Sequence, residues 1–176
     1  MTAALNDPEI VRWTRVPSPY TRTDAEDFLR LMEEARLAGT ELALAIVGAG
    51  DDELLGSISM RPVSREHRRG ELGYLDFAHA RGRGVATRAV RLLARYGYDQ
   101  LDLERIEILA HPENLASQRV AEKAGFTREG LLRGYHRLRG EREDRVMFSQ
   151  LREELQIGDP SRPRRAPGRA RRSSHR

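Results

Sequence analysis

The sequence predicts an α/β protein built on one mixed sheet, and three observations carry that reading. Apolar, β-branched runs of strand length recur at Leu42–Val47, Leu54–Val63, Glu71–Phe77 and Ile106–Ala110. Helical periodicity precedes them at 25–35 and separates the last two at 85–100. Only one strand, helix, strand unit is present, at Glu71–Ala110, so the sheet is not doubly wound.

Taken in order, Thr23-Asp24-Ala25-Glu26 has the form of a capping box, and Phe28, Leu31, Met32 and Ala35 follow at helical spacing up to Gly39. The runs Leu42–Val47 and Leu54–Val63 flank Gly48-Ala49-Gly50-Asp51-Asp52 and read as an antiparallel pair. After the third strand come Arg81-Gly82-Arg83-Gly84 and a helix marked by Val85, Ala89, Val90, Leu92, Leu93 and Tyr96, ending near Gln100. A short helix over Ala116–Ala124 stops at Gly125. Phe126–Leu138 and Glu143–Leu151 form a last hairpin turning around Arg139–Glu141.

A length of 176 residues with 39% hydrophobic content suits one domain, placed at 1–157 with a disordered basic tail at 158–176. Without cysteine there are no disulfides and no thiolate catalysis. The five histidines (His67, His79, His111, His136, His175) include no i, i+4 pair, so no metal site is expected. No long apolar run or leader pattern is evident, which predicts a cytoplasmic chain with no membrane partner. The pI near 9.9 is a tail effect. Residues 161–176 hold seven of the 31 basic residues and none of the 27 acidic ones, which leaves the body slightly acidic. Any nucleic-acid contact would fall to that 161–176 tail, which reads equally as an appendage without a partner.

The segment 81–86 carries the chemistry. A helix start presents main-chain N–H groups without intrahelical partners together with partial positive charge, which suits an anion. Gly82 and Gly84 permit close approach and positive φ, and Arg81 and Arg83 add charge. Gly-x-Gly before a helix is also a plain strand-to-helix turn. The competing nucleotide motifs are absent, with neither Gly-Lys-Ser/Thr nor a third glycine following Gly84.

Arg81-Gly82-Arg83-Gly84-Val85-Ala86 resembles the Arg/Gln-x-x-Gly-x-Gly/Ala pyrophosphate loop of the GNAT superfamily of N-acetyltransferases. With Asn114-x-x-Ser117 and Lys123-Ala124-Gly125-Phe126 in the same order, the chain is similar to the ribosomal-protein, or Rim-type, branch over roughly residues 7–151. The resemblance implies the GNAT fold and acetyl-CoA as co-substrate, held by Phe77, Ala78, Arg81, Gly82, Arg83, Gly84, Val85, Ala86, Thr87, Asn114 and Ser117. It further implies that the strand ending near Phe77 and Ala78 pairs with the pantetheine arm, and that Ile106–Ala110 splays away to open a V-shaped cleft. It assigns Glu71 as base and Ser117 as acid. Read alone, Glu71 is equally a solvated strand-edge charge, Ser117 a first-turn residue and Asn114 an N-cap.

Two departures from the family follow. The first strand is missing, because only six residues precede Asp7-Pro8-Glu9-Ile10, and the exposed edge makes a homo-oligomer a candidate state. The tyrosine that many relatives carry seven positions after the asparagine is Ala121 here, which makes Tyr135 the runner-up acid. His79 and His111 are expected to flank the cleft. The expected function is acetyl transfer to a primary amine, either a protein N-terminus or a small amine. The alternative is a non-catalytic CoA-binding or RNA/ribosome-associated module.

Overall fold

The computed structural model describes residues 2–157. Its strands are β1 (Leu42–Val47), β2 (Leu54–Ser64), β3 (Arg69–Asp76), β4 (Arg105–Ala110), β5 (Thr127–Leu138) and β6 (Glu141–Leu151). They form one six-stranded sheet in the order β1-β2-β3-β4-β6-β5. Every neighbouring pair is antiparallel except β3 and β4. Those two are parallel because helix α4 (Val85–Gln100) carries the chain back between them. The remaining helices are α1 (Thr2–Leu5), α2 (Pro8–Trp13), α3 (Arg22–Ala38), α5 (Leu115–Ala124) and α6 (Arg152–Ile157).

Side chains alternate across a strand, so each strand offers one set of residues to each face. Met60, Leu72, Ile106, Ile108 and Phe148 form the buried set, packed with Val90, Leu93, Ala94 and Tyr98 of α4 and Ala121 and Ala124 of α5. Gly97 allows α4 to lie close to the sheet, since a Cβ there would stand 3.0 Å from Ile106 Cδ1 and 3.1 Å from Met60 Cε. The opposite face is covered at one end only. There Leu5, Ile10, Tyr20 and Ala25 enclose Phe77, with Leu54 and Leu75 beside them. Asn6 staples this cover, accepting from the Tyr20 N–H at 2.8 Å and donating to its carbonyl at 2.9 Å.

Among the described residues no strand lies beyond β1, which is the sheet edge. Its Leu44 and Val47 are exposed, and so are Phe28, Leu31 and Leu37 of α3, a helix that buries only Ala25. The capping box is displaced from the expected position: Thr21 caps α3 and exchanges bonds with Asp24, not Thr23 with Glu26. The earlier start lets Tyr20, just before the cap, meet Ala25 in the same buried cluster, a hydrophobic staple that Thr23 would forfeit. The last hairpin closes on Arg139 and Gly140, both at positive φ, between Leu138 and Glu141. The 158–176 tail, with its expected disorder and nucleic-acid contact, lies outside the described residues. No helix of the described residues is long and apolar enough to cross a membrane.

Candidate active site

The parallel ladder between β3 and β4 is short. Arg69, Gly70 and Glu71 face Arg105, Ile106 and Glu107, and there the pairing ends. Beyond that point Leu72–Asp76 pair only with β2, and Ile108–Ala110 only with β6. The two strands therefore diverge from Glu71 onward and leave a V-shaped opening in the middle of the sheet.

Main-chain direction follows from the register. The Phe77 N–H donates to the Leu55 carbonyl at 2.8 Å, so by antiparallel alternation the N–H and C=O groups of Tyr74 and Asp76 are the ones aimed into the opening. Phe77 itself is turned away from the opening. Its N–H is committed to β2, its carbonyl accepts from the Ala80 N–H at 2.9 Å, and its ring is buried against Ile10 and Tyr20. Ala78 starts a 3₁₀ turn, Ala78–Ala80, that leads the chain out of β3.

At the open end of the V, Gly82 and Gly84 sit at φ 73° and 72°, the left-handed region in which a side chain is strained. Gly84 is the N-cap of α4, and the first main-chain bond into that helix runs from the Arg88 N–H to the Gly84 carbonyl at 3.1 Å. The N–H groups before Arg88 have no helical partner. One is occupied: Ala86 N–H donates to Asp76 Oδ2 at 3.2 Å. Burial pushes the Asp76 carboxyl up, against that bond and the charges of Arg81 and Arg88, which favour ionisation. Those of Val85 and Thr87 remain beside the exposed Gly82 and Arg83. Arg81 is tied to Asp7 at 3.0 Å, and Arg88 donates to the Arg83 carbonyl at 3.0 Å, which fixes the loop from both sides.

Glu71 and Ser117 approach the opening from opposite faces. Glu71 alternates with the buried Leu72, so its carboxylate stands on the face away from α4, paired with Arg61 at 3.0 Å. Ser117 belongs to α5 on the α4 side, where Asn114 Oδ1 caps the helix by accepting from the Ser117 N–H at 3.0 Å. Tyr74, a residue the sequence did not single out, reaches across from β3. Its hydroxyl lies 3.0 Å from Ser117 Oγ and donates to the Ser117 carbonyl at 3.0 Å. Burial pushes the Tyr74 phenol up to about 12, so it stays protonated at neutral pH.

Ala121 is fully buried in the core, and Tyr135 is exposed on β5. His111 stacks at 5.1 Å on Trp13, and His79 stands 3.5 Å from Glu53. Together with the Arg12–Glu113 ion pair, the Trp13 contact ties the end of α2 to the loop after β4. The start of α2 is tied to the glycine loop through Asp7, so this helix spans the mouth of the V.

The profile of the acetyltransferase (GNAT) domain matches residues 1–127. The chain belongs to the GNAT acetyltransferase family. It is 33% identical over 150 residues to the uncharacterized N-acetyltransferase p20 of Bacillus licheniformis, covering 85% of this chain and 84% of that one. To the spermidine N(1)-acetyltransferase of Escherichia coli strain K12 it is 32% identical over 47% of this chain and 44% of that protein. The crystal structure of a ribosomal-protein-S5-alanine acetyltransferase from Vibrio fischeri superposes with a TM-score of 0.73 at 23% identity, covering 85% and 86% of the two chains. The six-stranded mixed sheet is thus the GNAT fold, and the chain is an N-acetyltransferase with acetyl-CoA as its co-substrate. This sets aside the non-catalytic module.

Proposed function

We propose that this GNAT enzyme acetylates the α-amine of a peptide or protein, with Glu71 as base and Ser117 as acid. The observation that carries the reading is the end of the β3–β4 ladder at Glu71, with Ser117 held by Tyr74 on the other face of the same opening. Acyl transfer needs the amine on one side of the thioester carbon and the departing sulfur on the other.

In this reading the diphosphate of acetyl-CoA rests on the N–H groups of 82–87 other than that of Ala86, which Asp76 holds, with Arg83 and the loop-fixing Arg81 adding charge. The pantetheine arm runs along the open main-chain groups of Tyr74 and Asp76, and Asn114 caps the helix that carries Ser117 beside it. Glu71, directly or through one water, takes a proton from the ammonium group. The amine nitrogen then bonds to the carbonyl carbon, and the oxyanion is held by main-chain N–H groups of the splayed strands. As the carbon–sulfur bond breaks, the bonded nitrogen releases its second proton to solvent, Ser117 gives its proton to the thiolate and is reprotonated from solvent, and Glu71 returns its proton to solvent. The products are CoA and the N-acetylated amine, an amide.

The local similarity to a spermidine acetyltransferase supports a second reading, a small amine. Charge weighs against a polyamine, because Arg61 beside Glu71 and the nearby Arg145 and Arg15 would repel a polycation. Mass spectrometry of products from acetyl-CoA and a panel of N-terminal peptides and small amines is expected to find acetylated peptide. Acetylation confined to small amines would reject the peptide assignment.

A further inference from the structure

The register of the β5–β6 hairpin shifts twice, between Arg128 and Gly130 near its open end and again at its middle. The second shift lies between Leu132 and His136, where Gly134 takes φ 57° and donates its N–H to Asp144 Oδ1 at 2.7 Å. A bulge of this kind bends the strand and re-aims the side chains beyond it. His136, the first paired residue after the shift, lies between two guanidinium groups. Arg145 Nη2 stands 2.6 Å from its Nδ1, and Arg15 Nη2 stands 2.6 Å from its Nε2.

A neutral imidazole accepts at one nitrogen only, so one of these contacts sets a donor against a donor. Arg145 is 6% exposed, and among the described residues its one carboxylate partner is Glu143 at 2.8 Å. Burial, then the charges of Arg145 and Arg15, hold His136 below its ordinary range; Glu143 opposes them, and the charge of Arg61 adds to the lowering. Arg61 is the partner of Glu71, so this cationic cluster adjoins the amine side of the cleft.

Outward from the cluster, Arg15, Val16 and Pro17 form one wall of an open groove of about 250 Å³, and Arg137, Leu138 and Arg139 form the other. Arg139 donates to the Val16 carbonyl at 3.2 Å and Arg137 to the Gly140 carbonyl at 3.3 Å. Among the described residues, none of Arg15, Arg137 and Arg139 pairs with a carboxylate. Three arginines held by neutral partners in one groove, continuous through Arg15 with the guanidinium pair around His136, call for anions.

We infer that this groove selects the acceptor: it binds carboxylate side chains among the first residues of a peptide whose α-amine reaches Glu71. A row of guanidinium groups suits acids spaced along an extended chain, at about 3.3 Å per residue, better than a single compact anion. The inference rests on the peptide reading above. It makes the β5–β6 bulge and the segment after α2 the determinants of specificity.

The test uses the full chain with CoA bound and a C-terminally labelled peptide carrying Asp or Glu at positions 2–4. The comparison peptide carries Asn and Gln there, and O-phosphoethanolamine serves as competitor. Fluorescence anisotropy is expected to show at least tenfold tighter binding of the acidic peptide. Combining Arg15→Gln with Arg139→Gln should abolish the difference and leave the affinity for the amide peptide and for CoA unchanged; Arg137→Gln alone should narrow it. Equal binding of the two peptides by the wild-type chain would overturn the inference. So would a preference that survives the double variant, which would place it in the arginine-rich 161–176 segment. Displacement of the peptide by equimolar O-phosphoethanolamine would overturn the peptide class in favour of a small anionic amine. Turnover followed in parallel separates the two proposals. Binding preference without acetylation keeps the groove and removes the reaction, whereas equal acetylation of both peptides keeps the reaction and removes the groove.

Discussion

Replacing Glu71 by Gln keeps the size of the side chain and its bond to Arg61 but removes the proton acceptor. The Arg61–Glu71 pair is partly solvated, with the Arg61 side chain 52% exposed, so losing its charge attraction should cost at most about 1 kcal/mol of stability. The phosphate loop is remote. Glu71 stands at the vertex of the V and Asp76 at its mouth, five residues or roughly 17 Å along the strand at about 3.3 Å per residue. CoA affinity is therefore expected to hold while kcat falls by roughly 10²–10⁴-fold at pH 7, the usual contribution of a positioned general base. Turnover is read as free CoA thiol against peptide acceptor, and CoA binding by calorimetry on the same samples. Raising the pH to 9–10 supplies amine already deprotonated and should recover part of the loss in Glu71→Gln, because the missing step is then unnecessary. Wild-type turnover at pH 7, or a loss that alkaline pH does not relieve at all, would remove Glu71 from the mechanism.

Gly84→Val should weaken CoA binding by tenfold or more, since φ 72° is strained for valine and the added Cβ would meet Arg88 Nη1 at 3.3 Å; unchanged calorimetric affinity would reject the loop assignment. Tyr74→Phe is expected to lower kcat several-fold with little change in CoA affinity, because Ser117 loses its orienting partner; an unaltered kcat would leave the phenol a purely structural role. Arg105 and then Ser149 hold the Glu129 carboxyl down at about 2, so its stabilisation is present above its ordinary value of 4.5 and is lost as pH falls from 4.5 towards 2. Urea unfolding across that window should show a shallower acid loss for Glu129→Gln, by less than about 1 kcal/mol given its exposure, and parallel curves would exclude the bond as a contributor.

What the sequence made legible is what local chemistry encodes. The glycine loop can be found because an anion site at a helix start depends on the φ of two adjacent residues and on N–H groups of the same turn, all within 81–88. Asn114 and Gly125 are equally local, and they bound α5 where the sequence placed them. The start of α3 was misplaced because Thr21-x-x-Asp24 and Thr23-x-x-Glu26 overlap as cap patterns. The contact that chooses between them, Tyr20 with Ala25, is a packing event.

The rest of the site depends on register, which no local pattern carries. A shift of one residue in the β2–β3 pairing would turn Phe77 towards the opening and Tyr74 away from it, with the same composition and the same strand bounds. That parity is what brings Tyr74, unmarked in the sequence, to Ser117. The same parity places Glu71 and Arg61 together on one face and Leu72 and Met60 on the other. The arginine cluster is a further step removed. It exists because a bulge between Leu132 and His136 resets the alternation of β5, bringing His136 to Arg145 of its own hairpin and to Arg15, 121 positions earlier in the chain. In a chain with one lysine and thirty arginines, composition could not distinguish these guanidinium groups from the solvated ones. What distinguishes them is that Arg15, Arg137 and Arg139 line one groove and are held there by neutral partners, whereas Arg30 and Arg36 of α3 are paired with acids three or four residues away. The fold has left cationic capacity unspent beside the amine side of the cleft, and an acidic acceptor is the chemistry that would use it.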